Sequence, residues 1–382
     1  MKTALYTIFR CTNYGAVLQA YALARTLRGV CGPDGLDVVN HRMDPRDTHL
    51  LGKLSNPNTP WFQRWRNRRK AARRYIHPEL FEVRRRRTIQ FIDGQIRPTD
   101  RLYRDPAELR GLPRYATVVV GSDQVWNPGL NHDFGFNPYL CTTLPEGQDR
   151  VAYAASFGVA EMPLAEEDRC RKALARFRAI TVREESGADL CERLLGDRPA
   201  VALDPTLLLD ADAWRVALPP AGSPSGGYIA AYWVRPVSPA DVSALSRVSR
   251  SLALPVCLLS AGPLPCLDMP PEIAPYIEAA PLDFVRTISG ASCVVTDSFH
   301  GLQFSAVFGR PFIALGNLAD PRSNASRLVD FCTRYGIEGG VCDIDEFRRG
   351  GVPRPVALPS SAAGALAADR ARSMGLLKGL LP

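Results

Sequence analysis

One stretch, ISGASCVVTDSFHGLQFSAVFGRPFIAL at residues 288–315, limits what this chain can become more than any other. Cys293, Val294 and Val295 form an apolar run too short for a helix, so 292–297 reads as a buried strand. Residues 301–308 read as a helix, apolar on most sides, with Gly309 as its stop signal and Pro311 just beyond. Residues 311–315 read as the next strand. Asp297, Ser298 and His300 therefore fall where a strand ends and a helix begins, which in open α/β sheets is where ligands bind. The helix start at Gly301 offers free N–H groups suited to an anion. His300 is one of five histidines, and an imidazole can carry a proton near neutral pH. A histidine here could also do no more than cap the helix; position and residue type leave both readings open.

The same alternation runs through the rest of the chain. Residues 3–9 read as a strand, 10–15 as a loop, 16–27 as a helix ended by Gly29, and 36–40 as a second strand, an opening that requires a parallel sheet. Further strands are expected at 117–120, 150–155, 179–182 and 201–203, with a helix at 166–177. PPAGSPSGG at 219–227 is the best domain boundary, since Pro, Ser and Gly punctuate rather than extend regular structure. Beyond it the pattern restarts: strand 228–234, helix 239–252, strand 256–260, helix 281–288, then the opening stretch. A polar loop at 317–327 and a helix at 327–335 follow. Residues 339–351 read as loop-rich, 352–360 as Pro-rich and 362–381 as an Ala/Leu helix. The expected organisation is α/β with two facing Rossmann-like domains, the first over 1–218, the second over 219–360, and a closing helix over 361–382. There is no GxGxxG fingerprint and no P-loop.

Charge is concentrated rather than general. The chain carries a net +8, yet 64–87 alone holds eleven Lys/Arg against two Glu, so the remainder is close to neutral. After a polar connection at 45–60 comes WFQRWRNRRKAARRYI, a helix that puts Trp61, Trp65, Ala72 and Tyr75 or Ile76 along one side and arginines around the rest. A second helix is expected at 81–96. We read 45–100 as a basic helical insertion in the first domain. Such a helix can lie on an anionic membrane surface or hold the phosphates of a lipid-linked substrate; the plainer reading is a solvated helix packing its Trp stripe on the domain. Nucleic-acid motifs are missing, so no nucleic-acid partner is expected. Ten cysteines without a CxxC pair fit a reducing cytoplasm and give no zinc signature. No metal is expected. No apolar run reaches 18 residues, so no spanning helix is expected, and MKTALYTIFR reads as a strand rather than a cleaved leader. The expected location is the cytoplasm, with the basic helix as a candidate contact for the inner face of the membrane.

Polar residues collect at the strand ends. Asn13 and Gly15 lie on the first strand-to-helix loop. Ser122, Asp123 and Gln124 follow the strand at 117–120, and Ser156 follows that at 150–155. Sugar or acceptor recognition is their functional reading, and loop hydrogen bonding is the alternative. Arg183 directly follows a strand, so it points into a cleft to bind an anion bidentately or pairs with a neighbouring Glu. Arg322 and Arg327 lie on the loop after the last expected strand.

Taken together, NYGAVLQAYAL (13–23), VVVGSDQVWNP (118–128), YAASFG (153–158), VREESG (182–187), LDPTLLL (203–209) and TDSFHGLQFSAVFGRPFIAL (296–315) make the chain resemble the polysaccharide pyruvyl transferase family. The match runs from residue 1 to about 340 in the family's order. The resemblance implies a GT-B-like pair of Rossmann-like domains and transfer of a pyruvyl group from phosphoenolpyruvate, the donor substrate, to two sugar hydroxyls of a glycan or lipid-linked glycan. It implies no further cofactor. An Arg-Leu-His triplet and a separate upstream Arg that contact the donor in this family map to Ser298-Phe299-His300 and Arg183. The triplet histidine is kept and its arginine is not. On this reading His300 is the acid and then the base, Asp297 orients it or binds a sugar hydroxyl, Gly301 and Ser298 offer the helix start, and one of Arg310, Arg322 or Arg327 supplies a second cation. Two other functions remain compatible: a GT-B-type glycosyltransferase using a nucleotide sugar, and a non-catalytic binding protein at the membrane.

Overall fold

Helices and strands alternate from Thr3 onward and sort into two all-parallel sheets. The computed structural model describes residues 1–41, 61–129, 137–218, 226–320 and 325–382, with no side-chain description at 61, 62, 64, 65, 68 and 106. The first sheet contains β1 (Thr3–Tyr6), β2 (Leu36–Val38), β3 (Thr117–Val120), β4 (Arg150–Ala155), β5 (Ala179–Val182) and β6 (Ala200–Val201), in the order β2-β1-β3-β4-β5-β6. Its stretch of chain carries α1 (Tyr14–Cys31), α2 (Trp61–Arg74), α3 (Pro78–Phe91), α4 (Leu164–Leu174), α5 (Glu185–Leu195), α6 (Pro205–Leu208) and α7 (Ala211–Ala217). The second sheet contains β7 (Ile229–Trp233), β8 (Val256–Ser260), β9 (Ile273–Pro275), β10 (Cys293–Thr296), β11 (Phe312–Gly316) and β12 (Val341–Asp343), in the order β12-β11-β10-β7-β8-β9. Around it lie α8 (Pro239–Leu252), α9 (Pro281–Gly290), α10 (Phe299–Val307), α11 (Ala325–Arg334), α12 (Ile344–Arg349) and α13 (Ser360–Gly379). The expected boundary falls mostly on residues 219–225, outside the described residues.

Parallel sheets covered by helices on both faces demand strands that are apolar on both sides, and the middle strands comply. Val119, Val120, Ala152, Val294 and Val295 are fully buried. The two Rossmann-like domains face each other across one continuous apolar cluster. It joins Leu5, Val17 and Tyr153 of the first to Tyr232, Val294 and Phe304 of the second. The closing helix α13 ties both. Ser373 accepts from the Leu203 N–H at 3.0 Å, and Asp369 takes Arg334 at 2.7 Å and the Tyr335 hydroxyl at 3.0 Å.

Three expectations need correction. Gly29 does not end the first helix: α1 runs on to Cys31 and Gly32, at φ 83°, ends it. One interior glycine costs a helix only about 1 kcal/mol, less than the thirteen buried residues before it provide through packing. Residues 339–351 are not loop-rich, since β12 and α12 lie there. The basic insertion does not pack on the first domain alone: Phe91, Ile92 and Ile96 join the cluster around α1, and its earlier part turns to the second domain. Ala71 and Phe81 join Ile229, Trp233 and Leu264 in the core on the outer side of the second sheet. The Ile76 N–H donates to the Leu264 carbonyl at 3.0 Å, and the Cys266 N–H to that of Arg74 at 3.0 Å. Those bonds set the rotation of α2, so Ala71 faces inward and Ala72 is exposed. The Trp61 and Trp65 side chains lie outside the described residues.

Candidate active site

His300 sits in the first turn of α10, and the turn before it explains how it is held. The Ser298 hydroxyl caps the helix by accepting from the Gly301 N–H at 3.3 Å. The Thr296 hydroxyl donates to the Tyr232 carbonyl at 2.8 Å and accepts from the Ser298 N–H at 3.0 Å. Gly301 lies so close to that hydroxyl that a Cβ would come within 2.4 Å of it. Ser298 and Gly301 therefore shape the turn. The imidazole projects from it onto α1 of the other domain, where a Cβ at Gly15 would lie 2.1 Å from Nδ1. Only glycine admits the ring there. Asn13 caps α1 at the same point, accepting from the Gly15 N–H at 3.0 Å and the Ala16 N–H at 3.4 Å.

The carboxylate beside His300 is Asp204, just past β6. Its Oδ2 lies 3.4 Å from Nε2, close enough for charge attraction, although Nε2 forms no hydrogen bond. Burial works to raise the Asp204 carboxyl, but His300, Arg183 and the Thr206 N–H outweigh it and hold it well below the usual carboxylate range. Asp297 does not take the orienting part expected of it. It is 1 % exposed, and its two oxygens accept from the Val234 N–H at 2.7 Å, the Arg235 N–H at 3.2 Å and Arg235 Nε at 2.9 Å. In the sequence, Asp204-Pro205-Thr206 reads as a loop leaving the first domain, which gives Asp204 no functional signal; in the structure it also caps α6, Oδ1 accepting from the Thr206 N–H at 2.9 Å.

Arg183 reaches the same carboxylate from the end of β5. Nη1 lies 2.8 Å from Asp204 and 3.3 Å from Asp123, and Nε lies 3.4 Å from Glu184. The side chain is 1 % exposed. Burial opposes its charge, but the three carboxylates overcome that and hold the guanidinium more firmly protonated. Both expectations for Arg183 thus apply at once: it pairs with its neighbouring Glu and it faces the other domain, 5.3 Å from the Phe299 ring. Arg327, from α11, approaches the same ring at 5.6 Å. Its Nη1 and Nη2 donate to the Gln124 amide oxygen at 3.1 and 2.9 Å, with that amide turned to receive them. No carboxylate among the described residues pairs with it. Burial pushes Arg327 down to about 10, and Arg183 pushes the same way.

Three nearly buried groups therefore meet around Asp204 and Phe299, each with one nitrogen that forms no hydrogen bond: Arg183 Nη2, Arg327 Nε and His300 Nε2, the last 3.4 Å from Asp204. A cavity of about 350 Å³ opens between Arg183, Asp204, Phe299, Gln303, Arg327 and Tyr335. A larger hollow, about 740 Å³, lies outside α8 against Ile76 and Leu267. It gathers Arg247 and Arg250 but nothing from the first sheet, whereas the smaller cavity is lined from both domains and includes Asp204, the carboxylate beside His300, although His300 itself is not in its lining. Buried donors without acceptors are costly unless something supplies the acceptor; the larger hollow has one, Arg247 Nε, and the smaller has two on facing guanidiniums from the two domains, which makes the smaller cavity the candidate site.

The remaining expected residues divide. Asp123 and Gln124 belong to the cluster through Arg183 and Arg327. Ser122 and Ser156 are fully buried and hold loops: the Ser122 hydroxyl donates to the Ala154 carbonyl at 2.6 Å, and that of Ser156 donates to Glu184 at 2.5 Å. Neither is presented to a sugar. Arg310 precedes β11 and so lies at the amino end of the second sheet, opposite the site. Arg322 lies outside the described residues.

Comparison with known proteins fits this geometry. The family model for polysaccharide pyruvyl transferase matches residues 13–318, a span that includes every member of the cluster except Arg327. No curated protein sequence matches the chain. Among solved structures, the UDP-GlcNAc 2-epimerase of Methanocaldococcus jannaschii is similar at 10% identity over 99% of this chain and 100% of its own, with a TM-score of 0.47. An E. coli heptosyltransferase with ADP is similar at 13% identity over 90% and 93%, with a TM-score of 0.35. Likenesses this weak carry no argument about chemistry.

Proposed function

Because the chain belongs to the polysaccharide pyruvyl transferase family, we propose that it moves the pyruvyl group of phosphoenolpyruvate onto two hydroxyls of a saccharide, releasing phosphate and leaving a cyclic ketal. The observation that carries this reading is the pair of guanidinium N–H groups on Arg183 and Arg327 that lack acceptors, with His300 Nε2, free of hydrogen bonds, beside them on Asp204. Phosphoenolpyruvate brings two anionic groups and one carbon that must be protonated. Two guanidiniums answer the anions with charge-assisted, directional hydrogen bonds, and Arg327 takes the place of the arginine that Ser298 lacks. His300 answers the carbon.

In the first step the His300 Nε2 proton passes to the methylene carbon, which becomes a methyl group. A sugar oxygen bonds to the neighbouring carbon and its proton returns to Nε2. In the second step the other sugar oxygen displaces phosphate from that carbon, and its proton leaves with the phosphate. Asp204 stabilises the imidazolium while it carries the extra proton. Positioned proton transfer of this kind contributes roughly 10²–10⁴ in rate.

The insertion extends the reading to a lipid-linked acceptor. Arg66, Lys70 and Arg73 of α2 are exposed and can face an anionic bilayer, each cation adding about 1 kcal/mol near such a surface. Among the described residues no helix is long and apolar enough to cross one. Flotation with phosphatidylserine vesicles checks this extension separately: loss of binding when the three are changed to Gln supports it, and no binding by the unaltered protein removes it. The catalytic reading itself is checked by incubating the protein with phosphoenolpyruvate and a panel of glycosides. A new ketal methyl signal in the acceptor's NMR spectrum, equimolar with phosphate, is expected; turnover of a nucleotide sugar instead would replace it.

A further inference from the structure

The chemistry above uses Arg183 and Arg327 and leaves a third arginine of the cleft without a task. The second sheet runs from β7 outward to β8 and β9, then returns to the other side of β7 with β10. The crevice between the carboxyl ends of β7 and β10 is thus the switch point of this sheet, the place where doubly wound sheets bind ligands. Tyr232 of β7 lies beside Thr296 of β10, and the residues just past them meet across that crevice. Asp297 follows β10, Arg235 follows β7, and they pair at 2.9 Å.

The pairing is one-sided. Asp297 is buried and holds Arg235 by its Nε and its backbone N–H, which fixes the direction of the guanidinium. Nη1 and Nη2 have no partner among the described residues, and the side chain is 35% exposed. Arg348, close by, differs: its Nε and Nη2 both engage Asp241, at 2.8 and 3.1 Å. A guanidinium clamped at Nε and open at its outer nitrogens is arranged for bidentate contact with a carboxylate or phosphate. Arg235 does not line the donor cavity. Asp297 stands three residues before His300 on the same turn, at most roughly 10 Å along the backbone, about the reach of one sugar bearing a charged substituent.

We propose that Arg235, held across the switch point by Asp297, binds an oxyanion carried by the acceptor, so that the enzyme selects acidic saccharides. This rests on the pyruvyl-transfer reading for the word acceptor, but binding can be measured without it. Two sources share the chemistry, a uronate carboxylate and a glycosyl phosphate, and the experiment carries an arm for each. Calorimetry on the full chain, without donor, measures binding of methyl glucuronide, glucose 1-phosphate and neutral methyl glucoside. The expected result is that at least one acidic probe binds about tenfold to a hundredfold more tightly than the glucoside. R235Q and R235K should both erase that ratio, since lysine keeps the charge and loses the fork. Which probe wins identifies the source. Equal affinity for all three probes in the unaltered protein overturns the proposal, and so does a preference that survives R235Q. A melting temperature of R235K close to that of the unaltered protein guards against misfolding. Should acidic probes bind through Arg235 while phosphoenolpyruvate is never turned over, the donor reading falls and this one stands.

Discussion

Arg84 and Arg183 are both buried guanidiniums, and each leaves one nitrogen without a partner, Nε in Arg84 and Nη2 in Arg183. Their surroundings differ. Arg84, in the basic insertion, donates to three carbonyls: Ser260 at 2.5 Å, Thr12 at 2.6 Å and Ala261 at 2.9 Å. It lies 4.2 Å from the Tyr14 ring and 5.2 Å from that of Phe81. It bridges the two domains and does not line the cavity at the candidate site. Arg183 is held by carboxylates, faces a second guanidinium and lines the cavity between the domains. A buried cation with a missing partner is therefore not a site in itself. What separates the two is an opening large enough for a ligand and a second cation that no carboxylate among the described residues pairs with.

That contrast can be broken in several ways, the strongest first. Arg183→Gln removes the cation from among Asp123, Glu184 and Asp204 and leaves carboxylates buried and uncompensated. We expect a loss of about 3–5 kcal/mol in stability together with complete loss of transfer, read by denaturant melts and phosphate release. Arg84→Gln should cost about 1–3 kcal/mol through its lost carbonyl bonds, with the KM for phosphoenolpyruvate nearly unmoved. A donor-specific defect in that variant would erase the distinction between the two arginines. Arg327→Gln should do the reverse, raising that KM about tenfold to a hundredfold while the melting curve barely moves, because the guanidinium it removes is already disfavoured by burial.

The smallest effect concerns Asp330, at the rim of the cavity. Burial, Glu184, Glu185 and Asp189 push its carboxyl up to about 6, against about 3.9 for an ordinary Asp. Its folded value lies above its unfolded one. Its contribution is therefore most favourable below about pH 4 and is lost as pH rises through about 6. Asp330→Asn should raise the melting temperature by about a degree or two at pH 7.5 and leave it unchanged at pH 4. An equal gain at both pH values would assign the effect to packing instead.

How much of this was legible beforehand follows from where the information sits. The β/α alternation and the His300 turn were readable because buried parallel strands are written as short apolar runs, CVVT and TVVV among them. The edges β9 and β12 were not, since three residues at the rim of a sheet need no such run. Asp204 was hidden because Asp204-Pro205-Thr206 reads as a loop leaving the first domain. Arg235 gave no local signal at all: its importance comes from a residue 62 positions away. The arginine-rich insertion misled most. Charge at that density reads as surface, yet the register of α3 places Arg84 against backbone carbonyls of both domains, and only the tertiary packing decides which arginine of the run goes inside.

The account stands most directly on phosphate release from phosphoenolpyruvate, followed in parallel for the unaltered protein and for His300→Ala in the presence of a glycoside that accepts the group. We expect release that depends on the acceptor and falls by roughly 10²–10⁴ in the variant, with both proteins melting alike. Release at the same rate from the two proteins would contradict it.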